Sequence, residues 1–307
     1  MSDSTSTLIA VDARRARQER RAKSEIRGPK RTTSDRVVAG ASHVVLTIWS
    51  IIVVLPMLWT LFSSFKSTGE IFASPFQLPA EWSFVNYVNA WEKHNFGQMF
   101  INTVIVVGVA LVLVMLLGSM CAYVLARFSI PGSRAIYYLM LAGLTFPVFL
   151  AIVPLFFILQ GMGLLNTLPG LIITYVAFAL PFTVFFLFSF FKSLPYEIQE
   201  AAYVDGASEW RTFFQVMLPM AKPGLAAVAI LNFLGLWNQF LLPVALNTDQ
   251  GQYVLSQGMA AFASAAGYEV DQGALFAAVI ITIAPVLLVY IFFQRQLQGS
   301  VSQGTMK

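Results

Sequence analysis

The sequence predicts an all-α integral membrane protein with six transmembrane helices and one polar helix-turn-helix, facing the cytoplasm, between the fourth and fifth. Three observations carry this. Only 11% of the 307 residues are charged and 57% are hydrophobic, whereas soluble domains carry about 25% charged residues. Six apolar stretches are long enough for a bilayer, which needs ~20 residues. No Asp, Glu, Lys or Arg falls inside any of them.

Residues 1–36 come first and are polar and basic, with a dense run of Lys and Arg from Arg14 to Arg36. They show no sustained apolar period, which predicts a largely disordered tail. A local interfacial helix near residues 10–27 fits the same stretch. The apolar run that follows is about 25 residues long, which suits a retained span rather than a cleaved signal peptide. The spans are placed at 38–62, 99–126, 135–160, 169–191, 224–245 and 274–293. This divides the chain into a basic tail (1–36), a first helix with its outer loop (37–98), a five-helix core (99–293) and a C-terminal tail (294–307). Trp82, Tyr87 and Trp91 in the outer loop are of the type that anchors at membrane interfaces. Pro147, Pro154, Pro181 and Pro285 lie inside spans, where a missing N–H bends a helix.

Charge fixes the expected orientation. Of the nineteen Lys and Arg, only Lys66 and Lys93 fall in segments on the far side. The rest sit on the side of the termini and of residues 197–224, so the positive-inside rule places both termini in the cytoplasm. The same distribution accounts for the net charge of +4 without a nucleic-acid partner. His43 and His94 fall on opposite sides of this topology and Cys121 is the single cysteine, so no metal cluster and no intrachain disulfide is expected. Absence of intramembrane charge argues against proton or sodium coupling, although backbone carbonyls bind sodium in some transporters. The chain has no Gly-Lys dipeptide and hence no Walker A loop. If transport is powered, the energy comes from another chain.

Residues 197–224 interrupt the apolar pattern. Ser193 and Pro195 are start signals for a helix through Glu200, Ala201 and Ala202. The two alanines keep the surface low, and Gly206 takes a positive φ at no steric cost, so it ends the helix in a turn. Trp210, Phe213, Phe214 and Met217 then recur at i, i+3, i+4 and i+7, one apolar face of a second helix expected to rest on the membrane domain. Pro219 and Pro223 are expected to stop it before the next span.

Glu200-Ala201-Ala202, Gly206 and Val216-Met217-Leu218-Pro219 at these spacings resemble the coupling loop, or EAA loop, of ABC importer membrane subunits; the family form has Ile at Val216. From about residue 50 onward the chain resembles the second permease subunit of maltose-type carbohydrate ABC importers. The resemblance rests on Pro56-Met57-Leu58-Trp59, Ser64-Phe65-Lys66, Asn86-Tyr87, Ala126-Arg127-Phe128, Asn166-Thr167-Leu168 and Trp237-Asn238-Gln239-Phe240. The Trp237–Gly258 region resembles amino-sugar systems.

The resemblance implies a type I ABC importer transmembrane domain, a transport subunit in the plasma membrane that does no covalent chemistry. It would pair with a second homologous permease, two cytoplasmic ATPase subunits and an extracytoplasmic solute-binding protein, and would bind no cofactor itself, ATP and Mg residing on the ATPase. Glu200, Ala201, Ala202, Asp205, Gly206, Leu218 and Pro219 would form the ATPase contact. Ala260, Ala261, Ser264 and Gly267, in the small-residue outer loop, would meet the binding protein. The C-terminal tail, with Gly299, Gly304 and Lys307, would reach toward the ATPase pair.

In the fifth span Asn232, Gly235, Asn238 and Gln239 are expected on one helical face, where amides suit sugar hydroxyls. Interhelical hydrogen bonding is the plainer role for each. Trp237 is suited to stack on a sugar or to anchor at the interface. A permease for another solute, such as amino acids or peptides, or a carrier working alone are the alternatives.

Overall fold

The computed structural model describes residues 33–264 and 271–304; among them there is helix, turn and loop but no β-strand. The chain divides into two compact units, residues 1–58 and 59–307. The first unit carries most of helix α1 (Thr33–Ser63). This helix starts inside the stretch expected to be disordered, where Thr33, Ser34 and Asp35 are residue types that favour helix starts. None of the described side chains from Val37 to Leu58 is buried. Residues 1–32 lie outside the described part, and with them the proposed interfacial helix.

In the second unit the outer loop is built rather than loose. Helix α2 (Thr68–Ala73) is capped by Ser67, whose side chain accepts from the Glu70 N–H. Lys66 is fully buried and its Nζ donates to the Ser74 carbonyl at 2.9 Å. The Trp59 indole N–H donates to Pro75 at 2.7 Å. After the short helix α3 (Val85–Val88), the buried Asn86 amide donates to the carbonyls of Ser64 and Lys66. The three expected interface aromatics pack on protein as well: Trp82 on Phe65 at 5.2 Å, Tyr87 through its hydroxyl to Ser64, and Trp91 on Phe100.

Helix α4 (Phe96–Arg127) is the second span, and α5 (Ser133–Thr145) with α6 (Val148–Gly161) forms the third. Helix α7 (Leu168–Ser193) is the fourth, and it packs along α4. Gly118 permits this approach: a Cβ there would lie 2.5 Å from the Thr183 methyl. Next come α8 (Tyr196–Val204), the composite helix α9 (Glu209–Met220) with a π-helical middle from Thr212 to Met217, and α10 (Lys222–Trp237). Helices α11 (Leu241–Leu246), α12 (Leu255–Ser264) and α13 (Gln272–Gly304) complete the chain. The last helix runs ten or so residues beyond the span and takes in most of the expected tail, whose Lys307 lies outside the described residues.

Among the described residues four helices are long and apolar enough to cross a membrane unbroken, whereas the third and fifth expected spans are each interrupted. The third bends by 106° between α5 and α6. Pro147 cannot donate an N–H and holds Phe146 extended, with φ −73° and ψ 122°. Pro154, Pro181 and Pro285 stay inside continuous helices, so of these four prolines only Pro147 breaks one. The fifth span, expected to run unbroken through 224–245, ends at Trp237. Asn238 is its C-cap: backbone N–H and side-chain amide both donate to the Leu234 carbonyl, the latter at 2.8 Å, and the chain restarts as α11. Two apolar cores result. One joins α4, α7, α10 and α13 around Phe96, Leu171 and Trp237; the other joins α4, α7 and α9 around Tyr123, Phe191, Phe213 and Met217.

Candidate functional site

The helix-turn-helix forms as the sequence predicts, with corrections of detail. Pro195 occupies the N-cap position of α8, whereas Ser193 closes α7 by donating to the Phe190 carbonyl. Gly206 turns the chain at φ +77°. Glu200, Ala201, Asp205 and Gly206 are exposed at the corner, Ala202 is buried, and Leu218 and Pro219 are half-buried. A chain of hydrogen bonds crosses the turn: Gln199 Nε2 donates to the Tyr203 oxygen at 2.8 Å, and the Tyr203 hydroxyl donates to Glu209 Oε2 at 2.7 Å. Burial pushes the Tyr203 phenol above its ordinary value; the Glu209 carboxylate adds to this and the Gln199 amide opposes it. Tyr203 therefore stays a donor at neutral pH.

The second arm departs from the expected face. Phe213 and Met217 are buried, but Trp210 and Phe214 are exposed and stack on each other at 6.0 Å. The i→i+5 bonding of a π-helix widens the turn and breaks the i, i+3, i+4, i+7 register. Nor does Pro219 end this arm. It sits near the start of a last α-helical turn, and the 78° bend falls at Ala221, just before Pro223 in the first turn of α10.

At the other core, a cavity of about 320 Å³ opens between α5, α6, α7 and α10. Phe146 and Val148, on either side of the third-span break, line it, and so does Gln239 in the fifth-span break. Both helix breaks therefore border one cavity. Asn232 and Gly235 also line it, while Trp237 and Asn238 do not. The Trp237 ring is buried and its N–H donates to the Thr282 carbonyl at 3.1 Å, which leaves it no face to stack on a solute or anchor at an interface. Asn238 caps its own helix, so the four residues expected on one face do not share one. Asn232 spends a donor on Thr183 Oγ1 at 2.8 Å. Gln239 makes no side-chain hydrogen bond among the described residues and keeps its full amide capacity. Tyr175, which sequence reasoning passed over, lines the cavity with its hydroxyl unbonded to protein. A lone tyrosine in a Phe-rich span was the available signal.

Ala260, Ala261 and Ser264 lie on α12, and the Ser264 hydroxyl is turned back onto the Ala260 carbonyl. Phe262 of the same helix stacks on His94 at 4.2 Å. Gly267 lies outside the described residues. Among the described residues no group of three or more His, Cys, Asp or Glu is arranged to hold a metal.

Residues 115–303, more than half of the chain, match the family described as binding-protein-dependent transport system inner membrane component. The chain belongs to this family. As such an inner membrane component it is a multi-pass membrane permease subunit of an ABC importer, not an enzyme. The diacetylchitobiose uptake system permease protein NgcG of Streptomyces coelicolor is 70% identical over 90% of this chain and 91% of its own. The trehalose transport system permease protein SugB of Mycobacterium tuberculosis is 32% identical over 82% of this chain and 92% of its own. Among solved structures, one chain of a bacterial ABC transporter involved in the import of the acidic polysaccharide alginate superposes with a TM-score of 0.76 at 22% identity, covering 87% of this chain and 99% of that one. That likeness shows the fold.

Proposed function

We propose that this permease forms half of the pathway of an ATP-driven importer for a carbohydrate of the diacetylchitobiose class, with both termini in the cytoplasm. A homologous second permease completes the pathway and a solute-binding protein delivers the sugar near Ala260, Ala261 and Ser264. Two ATPase subunits, carrying ATP and Mg, dock on the corner formed by Glu200, Ala201, Ala202, Asp205 and Gly206, with Leu218 and Pro219 behind it. The observation that carries the pathway is the meeting of both helix breaks at one cavity. Irregular backbone at membrane depth persists only where protein buries it or a water-filled cavity receives it. The lining suits a sugar: Tyr175 and Gln239 offer hydrogen bonds to hydroxyl or acetamido groups, and Phe146, Phe178 and Phe182 offer apolar faces. The solute class follows the 70% identical relative.

The test is uptake of labelled diacetylchitobiose into vesicles holding the full complex. ATP-dependent uptake that excess unlabelled trehalose leaves intact is the expected result. Uptake by the chain alone, driven by an ion gradient, would sink the reading in favour of a stand-alone carrier, and a complex selective for amino acids or peptides would replace the solute class.

A further inference from the structure

At the junction between the helix-turn-helix and the spans sits a buried guanidinium. Arg127 ends α4, is 9% exposed, and donates from Nη2 to the Leu194 carbonyl at 2.7 Å. Leu194 caps α7. The guanidinium carbon also lies over the Tyr196 ring, 4.4 Å from its centre; Tyr196 is the first residue of α8, and its hydroxyl returns to the Ala126 carbonyl. One side chain thus touches the ends of two packed spans and the start of the coupling helix. We propose, on the function given above, that Arg127 is a positioning residue for energy coupling: it fastens α8 to α4 and α7, so that displacement of the helix-turn-helix moves both spans.

Two plainer roles are available, and chemistry separates them. If Arg127 only filled space, an apolar side chain would serve as well or better, because a buried charge is costly to desolvate. If it only neutralised helix-end carbonyls, a lysine would do the same. The observed geometry uses what lysine lacks: a planar group that donates in its plane and stacks across its face.

The experiment reads ATP hydrolysed per diacetylchitobiose imported by the reconstituted complex. Arg127→Lys and Arg127→Met are expected to assemble, to keep the KM for ATP, and to raise that ratio at least tenfold. Tyr196→Leu should raise it likewise, while Tyr196→Phe, which keeps the ring, should match the unmodified complex. A normal ratio in assembled Arg127→Lys or Tyr196→Leu would overturn the proposal, as would uptake and hydrolysis falling together in an assembled Tyr196→Leu complex. Should the Arg127 variants fail to assemble, Tyr196→Leu decides, because Tyr196 is 51% exposed. An unmodified complex that imports no diacetylchitobiose would sink the solute class alone. The joint is then read from stimulation of ATP hydrolysis by the binding protein, which Arg127→Lys should abolish.

Discussion

The Tyr203 hydroxyl donates to the Glu209 carboxylate at 2.7 Å, tying the two arms of the helix-turn-helix across the corner at Gly206. Both partners are exposed, so the bond contributes little to stability, about 1 kcal/mol or less. Its value is in fixing the angle between the arms. Tyr203→Phe should leave the melting temperature of the purified complex within a few degrees and lower ATP-driven uptake severalfold. A large loss of thermal stability with full uptake per folded complex would reverse that assignment.

Gly206 has nothing within 4 Å of where a Cβ would stand, so space does not restrict it; its φ of +77° does. Left-handed backbone costs an ordinary residue roughly 1–2 kcal/mol, and Asn tolerates it best. Gly206→Asn should therefore import nearly normally, and Gly206→Val should lose most uptake while still inserting in the membrane. Equal uptake by the two variants would show that the turn conformation is not limiting. Glu200→Lys, beside the same corner, should abolish uptake without changing insertion, as reversed charge at a docking surface predicts.

Two amides of the fifth span should separate in their effects. Asn232 is committed to Thr183, and such bonds average about 0.6 kcal/mol in membranes. Asn232→Leu should thus shift the melting temperature slightly and leave the KM for the sugar alone. Gln239 faces the cavity unspent, so Gln239→Leu should raise KM several-fold at unchanged stability. A KM that moves with Asn232 and not with Gln239 would relocate the solute path.

Thr183 also limits what Gly118 can become. Its hydroxyl donates to Ala179 and accepts from Asn232, so its methyl cannot swing away without breaking those bonds. Gly118→Val forces that methyl or the two helices apart, an overpacking cost of about 1–3 kcal/mol. Thermal melting of the detergent-solubilised complex should fall by several degrees. No change would mean that α4 and α7 separate freely.

How far the sequence foretold these features depended on whether the signal was local. Gly206 acts through its own backbone geometry, and its position already implies a turn; Pro147 is one of four prolines expected to bend a span, and only the structure singles it out. Trp210 and Phe214 were placed on a buried face because an α-helical period was assumed; the π-helical middle of α9 shifts the register, and no residue type announces it. Trp237 and Tyr175 exchanged roles for a different reason. Which side of a wholly apolar helix meets a cavity depends on its neighbours, so the tryptophan went into the core and the tyrosine to the opening. Arg127 stands out in the sequence only as an orientation charge and as part of the Ala126-Arg127-Phe128 pattern, since the carbonyl and ring it meets lie some seventy residues away in the chain.

The bend in the third span bears on how the protein is made. Its arms have 13 and 14 residues, each reaching roughly 20 Å at 1.5 Å per residue, short of the ~30 Å hydrocarbon layer. Neither arm would be accepted as a crossing segment alone, whereas the unbroken apolar run of both is long enough. The two arms are therefore expected to enter the bilayer as one segment already broken at Pro147, its 106° angle fixed once α7 brings Pro181 against Gly143. For this stretch, insertion and final packing are separate events, and a nascent chain halted before α7 emerges should hold the two arms at a wider, more variable angle.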